Sequence, residues 1–329
     1  MKKIFSIVIP VYKNELNLPV TIPYIIEKIP VLFPEYDVEL ILVNDGSPDR
    51  SWEIMKEYQK RYPETIRIVS LIHNFGQGNA VACGMNMARG DAIGTISADL
   101  QDPFELFVDM LTELERGYDL VCGVRQDREE TGINVFFSKL THFLINHLIS
   151  REYPRGGFDF SVVSREMAAR YLSIQERNGS GQLTLLWASG ATKFIPYTRK
   201  EREIGKSSWT FSKKIKYFID TFVSNSYLPI RTISVIGIVS AGVAFLASIY
   251  VFISALFATK SNAPGWSSTV LLIMFFSGLI LFSLGIIGEY LWRIYDEVRE
   301  RPLYLIKEYI DSTGQQEVIV GPGGDGYVG

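Results

Sequence analysis

The sequence is poor in the residues that build metal clusters and disulfide frameworks. Its 329 residues include two cysteines and three histidines. Cys83 and Cys122 each lie in an apolar run without metal-type spacing. A cysteine-based zinc site and a disulfide-stapled fold are therefore excluded, and both thiols read as core residues of a reduced compartment. An excess of positive charge is also missing. With 33 basic and 36 acidic side chains the net charge is −3, which argues against general nucleic-acid binding. No signal-peptide hydrophobic region opens the chain: the apolar run Ile4–Ile9 is too short for one and reads as a first buried strand.

The most informative absence is of charge itself. No charged residue occurs from Thr232 to Thr259, and after Lys260 the next is Glu289. Ile233–Phe257 is a 25-residue apolar run; as a helix it reaches roughly 37 Å, more than the ~30 Å hydrocarbon core of a bilayer. Val270–Gly288 is a second run, of 19 residues. Two transmembrane helices are expected. Lys213, Lys214, Lys216 and Arg231 precede them, Arg293, Arg299 and Arg301 follow, and the connecting loop holds only Lys260. That bias puts both termini in the cytoplasm. Phe211, Ile215, Phe218, Ile219, Phe222 and Val223 recur at helical spacing opposite lysines, as in an interfacial helix on an anionic membrane surface. The expected division is a catalytic domain over 1–205, a juxtamembrane segment over 206–231, a transmembrane hairpin over 232–290 and a cytoplasmic tail over 291–329. The tail after Asp311 is rich in glycine and expected to be poorly ordered.

The first 200 or so residues alternate strand-like and helix-like patterns. Ile4–Ile9, Val38–Val43, Ile66–Leu71, Ala92–Ile96 and Leu120–Val124 read as strands. Asp49–Arg61, Gln77–Arg89 and Pro103–Arg116 read as helices. This alternation predicts an α/β fold with a mostly parallel sheet, whose ligands bind beyond the carboxyl ends of the strands. Two such ends carry chemistry. Asp45 stands in Val43-Asn44-Asp45-Gly46-Ser47, a carboxylate beside a tight turn that could accept hydrogen bonds from a base or ribose, or simply form an Asx turn with Ser47 or Asp49 capping the next helix. Asp99, Gln101 and Asp102 crowd before Pro103. Hard oxygens so spaced suit Mg²⁺ or Mn²⁺ bridging a diphosphate, or the N-cap of a helix.

Together these stretches resemble glycosyltransferase family 2, in its polyprenyl-phosphate branch of dolichol-phosphate mannose synthases and bactoprenol glucosyltransferases. The matching residues are Val8-Ile9-Pro10-Val11-Tyr12-Lys13-Asn14-Glu15, the Asp45 turn, Asn74-Phe75-Gly76-Gln77, Ala98-Asp99-Leu100-Gln101-Asp102-Pro103 and Gly285-Ile286-Ile287-Gly288-Glu289-Tyr290. The resemblance implies a GT-A-type nucleotide-sugar domain. In it Pro10, Tyr12, Glu15, Asp45, Asn74, Gly76, Gln77 and Asp99 would line the nucleotide-sugar pocket, and Asp99 with Gln101 would hold the metal. Ser97 stands where the family usually has Asp, His73 where it often has Arg, and Ser207-Ser208-Trp209 where Ser-Lys-aromatic is common.

A polyprenyl phosphate acceptor is already a nucleophile, since a phosphate monoester is mostly dianionic at neutral pH. The enzyme has to hold it in line and offset its charge. Arg125 with Arg128, and Arg199 with Arg202 and Lys206, are the expected acceptor-phosphate cations, with Ser138 a further contact. Asp159, in Gly156-Gly157-Phe158-Asp159, matches the branch's acidic residue near the reacting centre and is expected to act as base or to orient the acceptor, in a catalytic set that includes Asp102. His142 and His147 read as structural. The implied reaction is inverting, metal-dependent transfer of a hexose, UDP favoured over GDP, from a nucleotide sugar to undecaprenyl phosphate at the cytoplasmic face. Related enzymes often associate, so a homo-oligomer stays open. Three other readings are weaker. A processive synthase would carry Gln-x-x-Arg-Trp and more spans. An inactive membrane scaffold has only Ser97 in its favour. A dinucleotide-binding enzyme needs the third glycine that Gly76-Gln77-Gly78 lacks.

Overall fold

The computed structural model describes residues 2–125, 153–154, 157–174, 176, 179–199, 228–257, 266–311 and 316–317. The chain divides into two compact units, residues 1–216 with 301–329, and residues 217–300. In the first unit β1 (Lys3–Val11), α1 (Leu18–Leu32), β2 (Tyr36–Asn44), α2 (Ser51–Arg61), β3 (Ile66–Leu71), α3 (Gln77–Met87), β4 (Ala92–Thr95), α4 (Leu106–Glu115) and β5 (Leu120–Arg125) follow in alternation. Then come β6 (Phe160–Ser164), α5 (Arg165–Ser173), α6 (Gly181–Ala188) and β7 (Thr192–Tyr197). The last strands are β8 (Ile306–Ile310) and β9 (Gln316–Glu317). All the strands and helices expected up to β5 are present, with ends shifted by a few residues.

The nine strands form one sheet in the order β7-β5-β6-β4-β1-β2-β3-β8-β9. From the pairings, β6 and β8 alone among the described strands run opposite to β1, so the sheet is mixed but mostly parallel. Alternation along the central strands sorts their side chains onto two faces. Phe5, Ile7, Ile9, Leu40 and Leu42 meet α1, α2 and α4 through Ile22, Met55 and Phe107. Val8, Ile41 and Val43 meet α3, α5 and α6 through Cys83, Met167 and Leu185. Both cysteines are buried and free, as the composition implied.

The second unit holds two long helices, α7 (Leu228–Phe257) and α8 (Trp266–Val298). Among the described residues, one stretch is long and apolar enough to cross a membrane, Phe275–Val298 within α8. The helix thus runs well past Gly288, where the apolar run ends, through Glu289, Arg293 and Asp296. The residues expected to form a tail are divided as well. Residues 291–298 continue α8, and Ile306–Ile310 return to the first unit as β8, antiparallel to β3. Arg67 explains part of that return: its guanidinium bonds the Tyr309 hydroxyl of β8 and, at 2.9 Å, the buried carboxylate of Glu39. The expected juxtamembrane helix lies outside the described residues.

Candidate active site

Two loops at the carboxyl ends of β1 and β2 are tied together. The Asp45 amide donates to Val11 O, the Lys13 amide to Ser47 Oγ at 2.9 Å, and the Glu15 amide to Asp49 Oδ2 at 3.2 Å. Glu15 Oε2 in turn accepts the Arg50 amide at 3.1 Å. Lys13 adopts φ +56°, a left-handed conformation that costs a non-glycine residue energy and turns the loop outward. Pro10 is the penultimate residue of β1, and Tyr12 just past its end is exposed.

Asp45 does more than turn the chain. It is 2% exposed, and its carboxylate accepts the amides of Phe75 at 2.7 Å and Gly76 at 3.0 Å. It therefore joins the loop after β2 to the loop after β3 and carries the Asn74-Phe75-Gly76-Gln77 stretch. Burial raises its carboxyl above the ordinary range, opposed by the two amides. Gly46 makes the junction possible: at φ +60° its missing Cβ would lie 2.4 Å from His73 C. Asn74 and Gln77 stand exposed at this rim, and the His73 and Phe75 rings stack at 3.9 Å.

The loop after β4 gathers three polar side chains. Ser97 Oγ lies 2.7 Å from Asp99 Oδ1 and 3.1 Å from Asp102 Oδ2, and its one proton serves one carboxylate at a time. Leu100 sits at φ +51°. Asp102 is no N-cap, because α4 begins at Leu106 after Glu105, with no side chain capping it. Asp102 is instead 1% exposed and receives the Tyr197 hydroxyl, while Arg199 Nε stands 3.3 Å from its Oδ1 as an ion pair. Asp99 and Gln101, the expected metal ligands, stand half-buried in the same loop, where Asp99 Oδ1 also accepts the Gln101 amide at 3.4 Å. Among the described residues no group of three or more His, Cys, Asp or Glu forms a metal cage. With two hard-oxygen side chains, a divalent cation there would need further oxygen ligands.

From Asp102 a chain of polar contacts runs to Asp159. Burial first, then the charge and hydrogen bond of Asp102, push the Tyr197 phenol far above its ordinary range, so it stays protonated. Its proton goes to Asp102, and the Arg125 guanidinium, opposite it in the β5–β7 register, interacts with its oxygen. Arg125 Nη2 then lies 3.2 Å from Asp159 Oδ2. On the far side Gln182 Nε2 donates to Asp159 Oδ1 at 3.0 Å, and Gln182 Oε1 accepts the Tyr153 hydroxyl at 2.5 Å. Topology explains the meeting. β5 and β7 are parallel with Arg125 opposite Tyr197, and β6 runs the other way, so the residue before its first strand position arrives at the edge where the others end.

The structure thus brings Ser97, Asp99, Asp102, Arg125, Asp159 and Arg199 to one edge of the sheet. Arg128, Ser138, Arg202, Lys206, His142 and His147 lie outside the described residues. Gly157 sits at φ +68°, where a Cβ would lie 2.6 Å from Gln182 Oε1 and 2.8 Å from the Tyr153 hydroxyl. Sequence reasoning missed Tyr197, Gln182 and Tyr153. The only local signal was that Tyr197 stands two residues before Arg199.

A three-layer α/β unit with acidic and basic side chains gathered at the carboxyl edge of a mostly parallel sheet has the architecture of GT-A-type glycosyltransferases. Residues 6–172 match Glycosyl transferase family 2, and the chain belongs to that family of enzymes. The glycosyltransferase YkcC of Bacillus subtilis is 35% identical over 92% of this chain and 93% of its own. The SfII prophage-derived bactoprenol glucosyl transferase of Shigella flexneri is 32% identical over 92% and 97%. The undecaprenyl-phosphate 4-deoxy-4-formamido-L-arabinose transferase of Photorhabdus laumondii is 32% identical over 95% and 96%. Among solved structures, a glucosyl-3-phosphoglycerate synthase from Mycobacterium tuberculosis is 21% identical, with a TM-score of 0.44 over 66% of this chain and 75% of that one.

Proposed function

We propose that this glycosyltransferase moves a hexose from a nucleotide sugar, UDP-linked, to a polyprenyl phosphate such as undecaprenyl phosphate, at the cytoplasmic face of a membrane. The observation that carries the reading is the polar chain from Asp102 through Tyr197 and Arg125 to Asp159. It joins the loop suited to a donor diphosphate to a cation and a carboxylate suited to an acceptor phosphate. The names of the bactoprenol and undecaprenyl-phosphate relatives support the acceptor.

In this reading the rim of Pro10, Tyr12, Glu15, Asn74, Gly76 and Gln77 receives the nucleotide, with Asp45 fixing that rim from behind. Asp99 and Gln101 would hold Mg²⁺ or Mn²⁺, which would supply charge neutralisation to the departing nucleoside diphosphate. Arg125 and Arg199, with Arg128, Ser138, Arg202 and Lys206, receive the lipid phosphate. Asp159 orients it toward the anomeric carbon. The phosphate oxygen attacks that carbon as the bond to the nucleoside diphosphate breaks, so one displacement inverts the configuration. In this reading both α7 and α8 cross the bilayer, which would cover the exposed apolar residues Ile238, Val239, Val243, Leu246, Leu281 and Phe282.

The test incubates membranes carrying the protein with a panel of nucleotide sugars and undecaprenyl phosphate, and weighs the lipid product. A glycosyl phosphoryl lipid of inverted configuration is expected. Sugar turnover without a lipid product, or a covalent sugar–enzyme adduct, overturns the reading.

A further inference from the structure

We propose that Tyr197 and Gln182 are positioning residues of the transfer reaction, fixing the Arg125–Asp159 pair from two sides; this rests on the acceptor-side reading of that pair. The pair cannot fix itself. Its side chains are 31% and 41% exposed and meet at 3.2 Å. An ion pair so exposed contributes only about 0–1 kcal/mol, too little to hold two side chains in one geometry.

What holds them lies behind. Tyr197 is 7% exposed, its ring packs against Phe160 at 5.9 Å, and its hydroxyl is gripped by the buried Asp102. With its proton spent on Asp102, the phenol oxygen offers Arg125 a lone pair from a rigid support. The Arg125 guanidinium therefore faces the Tyr197 oxygen across the β5–β7 register while its Nη2 reaches Asp159. On the other flank Gln182 is fixed by Tyr153 and presents its amide to the second oxygen of Asp159. Gly157 leaves room for that flank, since a Cβ would lie within 2.8 Å of both Gln182 Oε1 and the Tyr153 hydroxyl. Asp159 thus has one oxygen on a cation and one on a neutral donor, each backed by a buried tyrosine or its partner. The same chain reaches Ser97 and Asp99, so the carboxylate beside the acceptor is set relative to the donor loop rather than floating on the surface. Placement matters at this scale because an error of about 1 Å in a reacting group can cost ~100-fold in rate.

Tyr197→Phe removes the hydroxyl and leaves the ring contact with Phe160. Purified full-length protein in detergent, with a nucleotide sugar and undecaprenyl phosphate, is expected to lose roughly 10-fold or more in kcat, with the donor KM within about 2-fold of wild type and a melting temperature lowered by no more than about 5 °C. Combined with Arg125→Lys, Tyr197→Phe is expected to add nothing further, because it acts through Arg125. Wild-type kcat in Tyr197→Phe, or losses that multiply in the double variant, overturns the inference. Should Tyr197→Phe lose its fold, Gln182→Leu combined with Asp159→Asn forms the same cycle from the other flank and is read the same way. Product made by wild type with no loss in the variants sinks the positioning role alone. Absence of lipid product in wild type sinks the functional reading beneath it.

Discussion

At the scale of single residues, Asp99 and Gly46 bear the sharpest tests, for opposite reasons. Asp99 is a half-buried carboxylate in a strained loop, held by Ser97 and placed to share a cation with a diphosphate. Asp99→Ala is expected to lower transfer at least ~100-fold while leaving membrane insertion and melting unchanged, and a chelator is expected to do the same to wild type. Unchanged turnover in either arm, measured by lipid product, removes the metal assignment. Gly46 touches no substrate in this reading. Gly46→Ala would press a methyl against the His73–Asn74 backbone at a positive φ, and is expected to cost about 2 kcal/mol or more in denaturant unfolding. Both residues were readable in the sequence, because an Asp beside a strand end and a Gly in a turn announce themselves locally. Tyr197 was not, since its neighbours in sequence say nothing of Asp102, which lies 95 positions away.

At the scale of elements, two junctions carry the architecture. Asp119 clasps the turn between α6 and β7: its carboxylate accepts the amides of Gly190 and Ala191, both at 3.0 Å, the Ser189 hydroxyl, and Arg170. Burial pulls its carboxyl upward, but these donors outweigh it and hold it below the ordinary range. Its stabilisation is therefore full above the unfolded carboxylate value of about 4 and is lost as pH falls through the lower folded value. Asp119→Asn is expected to melt lower than wild type at pH 7, with the gap closing below about pH 4; a gap that stays constant across a melting series contradicts this. The second junction is β8 on β3. Arg67 is 6% exposed and its partner Glu39 is 12% exposed. Arg67→Met would leave the Glu39 charge buried beside Ser6 and is expected to cost about 3–5 kcal/mol, with the amides of β8 exchanging first. Strands β1 to β5 were readable from period-two alternation and β-branched residues. β8 was not, because a short strand on the far side of two apolar helices gives no sign of the edge it will pair with.

At the scale of the whole molecule, the chain leaves the first unit, builds α7 and α8, and returns to pair with β3. If both helices are spans, the return requires an even number of crossings, in agreement with the charge bias at their flanks. Single-cysteine variants test this in intact cells, because both native thiols are buried. Ser261→Cys is expected to react with a membrane-impermeant reagent added outside, and Lys2→Cys only after the membrane is opened. Equal reactivity of the two overturns the hairpin.

What the sequence by itself determined is whatever is written in local pattern: the alternation that yields an α/β sheet, the uncharged runs, and the acidic loops at strand ends. These depend on backbone preference and burial within a few residues. What only the tertiary structure decided is which of those features meet. The reversal of β6 carries Asp159 to the edge where Arg125 and Tyr197 end. The pairing of Arg67 with Tyr309 spans 242 positions. Contacts of that kind depend on how the chain closes on itself, and no short stretch of residues encodes its partner across such a distance.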